Sequence, residues 1–283
     1  MTIYRERRVA AQDGLSLYCR DYGDPQSPRV PLLCLTGLTR NSADFADLAE
    51  RHAGERRVIC PDYRGRGRSA YDRNWRNYDP RVYLNDAVQL LVAFDLHRVI
   101  VVGTSMGGVI AMGFAVAKPT MLAAAVINDI GPDIQGGGLT RIFDYVGVDH
   151  PQPDWNSAIL YLRQLLPTLS IRTEEGWRKM ARATFREGAD GRLHFDWDVT
   201  LARALRAARR TAPDLWPLFR ALRGVPTLAL RGDLSDVLSA ETFERMALAK
   251  PDLQRATVRE AGHAPTLNEP DAAAAIDAFI RRF

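Results

Sequence analysis

Apolar residues along this chain follow two rhythms that alternate almost from end to end. Short β-branched or aliphatic runs read as strands: "RRVAA" and "LSLYCRDYG" around the Gln12-Asp13-Gly14 turn, then "VPLLCL", "RRVIC", "RVIVV", "LAAAVIND", "PTLALRG" and "QRATVREAG". Between them the spacing changes to that of a helix. In "DPRVYLNDAVQLLVAFDL", Val82, Leu84, Val88, Leu91 and Val92 suit one face of a helix packed on a sheet. "ADFADLAERHA", Ala240 to Ala249 and "EPDAAAAIDAFIRRF" read as helices too. Strands alternating with helices predict a mostly parallel sheet covered on both faces. The alternation breaks from about Pro132 to Ala212, where the pattern is mostly helical and rich in tryptophan and tyrosine. The expected organisation is therefore a core formed by residues 1–131 and 213–283, with residues 132–212 inserted as a helical cap after the sixth strand.

One apolar stretch tests this scheme. Val99 to Ala117 carries no charge and is long enough on length alone for a membrane span. Its middle, however, reads Gly-Thr-Ser-Met-Gly-Gly. A buried parallel strand, a sharp turn and a buried helix account for the missing charges without a bilayer.

Composition narrows the function classes. The 283 residues are 46% hydrophobic and 25% charged, ordinary proportions for a globular chain. The net charge of +4 comes from arginines spread along the chain and mixed with acids, since only Lys118, Lys179 and Lys250 are lysines. Without a concentrated basic face, a nucleic-acid partner is not expected. The first residues, "MTIYRERRVAAQDG", have no apolar stretch of the secretory kind, so a cytoplasmic protein with no membrane insertion is expected. Cys19, Cys34 and Cys60 are odd in number, lie in strand-like runs and follow no metal-ligand spacing. No cofactor or metal is expected, and the partner is a small-molecule substrate.

The chemistry centres on Gly103-Thr104-Ser105-Met106-Gly107, a G-x-S-x-G pattern that follows a strand and opens a helix. A side chain at 103 or 107 would collide with the neighbouring strand or helix, and the tight turn exposes Ser105 at the carboxyl edge of the sheet, where open α/β folds bind ligands. A serine hydroxyl needs a base and an orienting acid to act as a nucleophile. Of five histidines, only His263 lies in a loop between the last strand and the last helix. For the acid, the loop "GDLSDVLS" offers Asp233 and Asp236, and Asp129 follows the sixth strand.

With these stretches in view, the chain resembles the α/β-hydrolase superfamily. The likeness is carried in order by "LCLTGLTRN", "DYRGRGRS", "GTSMGG", "LRGDLSD" and "GHAPTLNEP", and covers the chain outside the cap. It implies the α/β-hydrolase fold with an eight-stranded sheet, Ser105 as nucleophile, His263 as general base and acid, and Asp236 as the favoured acid, with Asp129 its rival. It also implies an oxyanion hole made by the backbone N–H groups of Leu38 and Met106. Thr36-Gly37 departs from the family's usual His-Gly, and the Thr36 hydroxyl is expected to tie down that loop. Arg40 reads as a brace of the same loop, with a substrate carboxylate as the alternative. Serine at the elbow argues against the branches that use aspartate or cysteine there. The resemblance implies a serine hydrolase of a carboxylic ester or related acyl bond in a small, apolar or aromatic molecule. Carbon–carbon bond hydrolysis, perhydrolysis, acyl transfer and ligand binding with little turnover use the same scaffold.

Overall fold

The computed structural model describes residues 4–134, 136–209 and 214–283. Eight strands form one sheet: β1 (Arg5–Ala10), β2 (Ser16–Tyr22), β3 (Leu32–Leu35), β4 (Val58–Pro61), β5 (Val99–Thr104), β6 (Leu122–Asn128), β9 (Thr227–Gly232) and β10 (Gln254–Val258). Their spatial order is β1-β2-β4-β3-β5-β6-β9-β10. The first two strands pair antiparallel at one edge, β2 meets β4 antiparallel, and every later pairing is parallel.

Side-chain alternation explains why both faces are covered. Val99 and Val101 of β5 enter one core cluster, while Ile100 and Val102 enter the other. The first face is packed by α2 (Pro80–Ala93), α3 (Met106–Ala117), α8 (Trp216–Arg220) and α9 (Ala240–Ala249), the second by α1 (Ala46–His52) and α10 (Pro270–Ile280). Helix α10 shows the sequence logic: Pro270 opens it, where the missing N–H is harmless, and Ala272, Ile276, Phe279 and Ile280 make one buried stripe. The uncharged run Val99 to Ala117 is β5 followed by α3, and Ile110, Met112 and Phe114 are buried. At roughly 1.5–3 kcal/mol for each large side chain removed from water, that burial alone accounts for its composition. No helix among the described residues is long and apolar enough to cross a membrane.

Between β6 and β9 the chain leaves the sheet. It forms α4 (Gly136–Val146), α5 (Trp155–Leu165), α6 (Glu174–Arg182), a hairpin of β7 (Phe185–Glu187) and β8 (Leu193–Phe195), and α7 (Leu201–Arg209). The hairpin was not expected from the helical pattern; its strands are three residues each, too short to register as a period. The expected boundary at 212/213 lies outside the described residues. Aromatics hold this excursion together: Phe195 stacks on Trp197 at 3.9 Å and on Phe185 at 5.0 Å between ring centres. Tyr161 packs on the same rings, and the Trp197 indole N–H donates to the Val146 carbonyl at 3.1 Å.

Candidate active site

Ser105 is the first residue past β5, at φ 52° and ψ −114°. For a residue with a side chain this conformation is strained, costing on the order of 1–3 kcal/mol, and strain of that kind collects at functional sites. The two glycines flanking the turn explain how it closes. A Cβ on Gly107 would stand 2.0 Å from the Leu35 carbonyl oxygen, and one on Gly103 would stand 2.3 Å from that of Gly107. The helix that starts at Met106 can thus press against β3 and β5.

His263 comes from the loop between β10 and α10. Its Nε2 lies 2.9 Å from Ser105 Oγ, and its Nδ1 lies 2.8 Å from Asp129 Oδ2. Asp129 is wholly buried and is the first residue past β6, also at positive φ, 55°. Its Oδ2 accepts from the Ser235 hydroxyl at 2.6 Å and its Oδ1 from the Gly232 N–H at 2.8 Å. A carboxylate accepting from Nδ1–H fixes the imidazole tautomer and turns the Nε2 lone pair toward Ser105.

The favoured acid of the sequence reading, Asp236, is not the histidine's partner; Asp129 is. Strands β5 and β6 are neighbours in register, with Thr104 opposite Asn128, so Ser105 and Asp129 leave the sheet side by side. Asp236 is exposed in the loop after β9, where its carbonyl accepts from the Gly138 N–H at 3.3 Å. That loop sends Ser235 inward instead. Asp233 turns to another task, accepting from the Ala261 N–H at 3.2 Å.

The Leu38 loop lies against Ser105: a Cβ on Gly37 would be 3.8 Å from Ser105 Cβ. Thr36 Oγ1 donates to the Arg40 carbonyl at 3.2 Å, tying the loop as its sequence suggested. Arg40 is a brace, pairing with Asp44 at 2.6 and 2.7 Å and donating to Thr184 Oγ1 at 2.5 Å. Among the described residues, neither the Leu38 nor the Met106 N–H has a hydrogen-bond partner. Met106 is the first residue of α3, so its N–H lies at the positive end of the helix dipole.

Several residues that position this site have no signature in sequence. Asn128 Nδ2 donates to Thr104 Oγ1 at 3.1 Å and to the Pro265 carbonyl at 2.9 Å, joining the ends of β5 and β6 to the histidine loop. From the excursion, the Thr168 carbonyl accepts from the Gly262 N–H at 2.7 Å, and Ser170 hydrogen-bonds Glu269. A second junction joins the excursion to the core. Asn41 Nδ2 donates to the Ala183 carbonyl at 2.9 Å and to Asp196 Oδ2 at 3.1 Å. Burial, then the nearby charge of Asp62, pushes the Asp196 carboxyl up to about 6. Burial also raises Asp62, although the N–H groups of Ser42 and Arg68 donate to it at 2.7 and 2.8 Å. The other four histidines have partners elsewhere: His52 meets Asp277 at 3.0 Å, His97 meets Asp95 at 3.1 Å, His150 packs near the Tyr161 and Phe195 rings, and His194 lies between Asp149 and Asp190 at 2.6 and 2.9 Å. Cys19, Cys34 and Cys60 are buried free thiols, and the described residues contain no cluster arranged to hold a metal ion.

Comparison with known proteins gives the family and the fold. The model of the alpha/beta hydrolase family matches residues 32–276. The chain is 33% identical over 263 residues to the 3-hydroxybutyrate-oligomer hydrolase of Cupriavidus necator, covering 88% of this chain and 87% of the relative. It is 27% identical over 238 residues to the 2-(acetamidomethylene)succinate hydrolase of Mesorhizobium japonicum, covering 82% and 81%. Among solved structures, an alpha/beta hydrolase from Novosphingobium aromaticivorans superposes with a TM-score of 0.93 at 41% identity, over 100% of both chains.

Proposed function

Because the chain belongs to the α/β-hydrolase family, we propose that it is a serine hydrolase that cleaves a carboxylic ester of a small molecule through Ser105, His263 and Asp129. The observation that carries this reading is the continuous relay from Ser105 Oγ through the His263 ring to Asp129, at 2.9 and 2.8 Å. In it, His263 Nε2 takes the hydroxyl proton as Ser105 attacks the ester carbonyl. Asp129 stabilises the resulting imidazolium, and the Leu38 and Met106 N–H groups receive the oxyanion. Collapse of the tetrahedral intermediate releases the alcohol, which takes the proton from His263. Water then attacks the acyl-enzyme by the same route and releases the acid, so one ester and one water yield one alcohol and one acid.

The relative from Cupriavidus necator names the first substrates to try, linear oligomers of 3-hydroxybutyrate, whose internal bonds are esters. The excursion, residues 132–212 in our division, serves as the cap that shapes the pocket for the acyl and alcohol groups.

Turnover of p-nitrophenyl acetate and butyrate and of the 3-hydroxybutyrate dimer and trimer, together with fluorophosphonate labelling, tests the reading. The wild-type chain is expected to be labelled and to cleave at least one of these esters, and Ser105→Ala to lose both properties. Wild-type protein that stays unlabelled and inert toward all four esters would overturn it, as would full turnover by Ser105→Ala.

A further inference from the structure

The sequence "DYRGRGRS" alternates three arginines with glycines, and the structure treats the first two, Arg64 and Arg66, very differently. Arg64 is buried against three carboxylates, Asp13 at 2.7 Å, Asp72 at 2.6 Å and Asp86 at 2.7 and 2.8 Å. Arg66 is equally buried, at 0% exposure, yet no carboxylate of the described residues pairs with it. Its Nε donates to the Leu38 carbonyl at 2.7 Å, and its Nη1 donates to the Arg64 carbonyl and to Tyr83 Oη, both at 2.7 Å. Three phenol rings surround the guanidinium, those of Tyr83, Tyr78 and Tyr63, at 4.7, 5.6 and 5.8 Å. Nη2 has no partner. In the pairs that Arg40, Arg57 and Arg64 make with carboxylates, Nε and Nη2 act together as one edge of the guanidinium. The unused Nη2 donor of Arg66 is therefore on the edge that faces the Leu38 carbonyl.

A buried cation without a counter-ion opposes folding, because aromatic faces and neutral acceptors replace only part of its hydration. Stability alone would favour a neutral side chain here. What the position does offer is a fixed positive charge bonded to the loop that lies against Ser105, where a Cβ on Gly37 would be 3.8 Å from Ser105 Cβ. We infer that Arg66 is a positioning residue of the hydrolytic site, holding the Leu38 peptide in place and supplying an unneutralised positive charge beside the developing oxyanion. This inference rests on the proposed Ser105 chemistry. Arg66 has no accessible surface, so it acts through the loop and through its field and does not touch the substrate.

The test compares Arg66→Lys, which keeps the charge, with Arg66→Gln, which removes it at similar length. Turnover of p-nitrophenyl butyrate is measured on folded protein, with inhibition by a trifluoromethyl ketone as a mimic of the tetrahedral intermediate. Arg66→Gln is expected to lower kcat about 10- to 100-fold at unchanged KM, less than the roughly 10²- to 10³-fold that follows loss of a direct donor. Its affinity for the ketone falls in proportion, while Arg66→Lys retains most of both. Arg64→Lys is the structural control: it lowers the melting temperature and leaves kcat of the folded protein unchanged. A kcat ratio near one between the Lys and Gln variants overturns the inference, as does a loss of kcat with unchanged affinity for the ketone. If the wild-type chain turns over the ester and Ser105→Ala does not, such a result removes only the role of Arg66. An inert wild type removes the serine-hydrolase reading itself.

Discussion

Asp129 accepts three hydrogen bonds, from His263, Ser235 and the Gly232 backbone, and is closed to solvent. Such a carboxylate is held in one orientation, and that orientation selects the imidazole tautomer. Asparagine in its place would present an NH₂ group to Nδ1 and favour the wrong tautomer. Asp129→Asn is therefore expected to lower kcat about 10⁴-fold, the effect known for a triad aspartate replaced in this way. Asp236→Asn is expected to stay within about twofold, because exposed substitutions away from a site change little. Steady-state rates of the two variants on one p-nitrophenyl ester decide between the acids. Ser105 and His263 could be singled out along the chain because each has a local signature, a glycine-flanked turn and a solitary loop histidine. Which aspartate lies beside His263 could not be singled out this way. Three aspartates follow sheet strands, and only the register that sets Thr104 opposite Asn128 brings one of them beside Ser105.

At the scale of elements, the turn between β5 and α3 depends on two absent side chains. A methyl group on Gly107 would overlap the Leu35 carbonyl oxygen, which belongs to a paired strand and has nowhere to move. Gly107→Ala is expected to destabilise the fold by about 3–5 kcal/mol, at the severe end for one substitution. Denaturant unfolding measures it. By contrast, a Cβ on Gly14, in the turn between β1 and β2, would meet nothing within 4 Å. Its φ of +81° leaves only the backbone term, so Gly14→Ala is expected to cost about 1 kcal/mol. The eight sheet strands and their helices were readable because each has a period and is long enough to show it. The β7–β8 hairpin was missed for the opposite reason: what defines it is aromatic stacking of Phe185, Phe195 and Trp197 rather than an alternation.

At the scale of the whole molecule, the excursion is held to the core by polar groups as well as packing. Asp196 is the sensitive one, since burial and the charge of Asp62 lift its carboxyl to about 6 from a reference of 3.8. A carboxyl raised on folding binds more protons in the native state than in the unfolded chain between those two values. Stability from this group is thus greatest below about pH 4 and declines as pH rises through about 6. Asp196→Asn keeps the hydrogen bond from Asn41 and removes the charge. It is expected to raise stability at pH 7.5 by roughly 1–3 kcal/mol, with the gain fading toward pH 4. Thermal melts of the two proteins across that range check the sign. The union of core and excursion was invisible in sequence because Asn41 and Asp196 lie far apart along the chain and belong to no motif.

The place of Asp129 just past β6 has a consequence for how such a chain can diversify. Ser105 and Asp129 are delivered by two adjacent strands joined through α3, and the excursion begins only after Asp129. If the excursion shapes the pocket as proposed, it is in effect a cassette: it can be lengthened, shortened or exchanged without changing the distance between Ser105 and the Asp129 carboxylate. What an exchanged cassette must still supply is small and local, a carbonyl where Thr168 meets Gly262 and a polar partner for Glu269, to seat the loop that brings the histidine home.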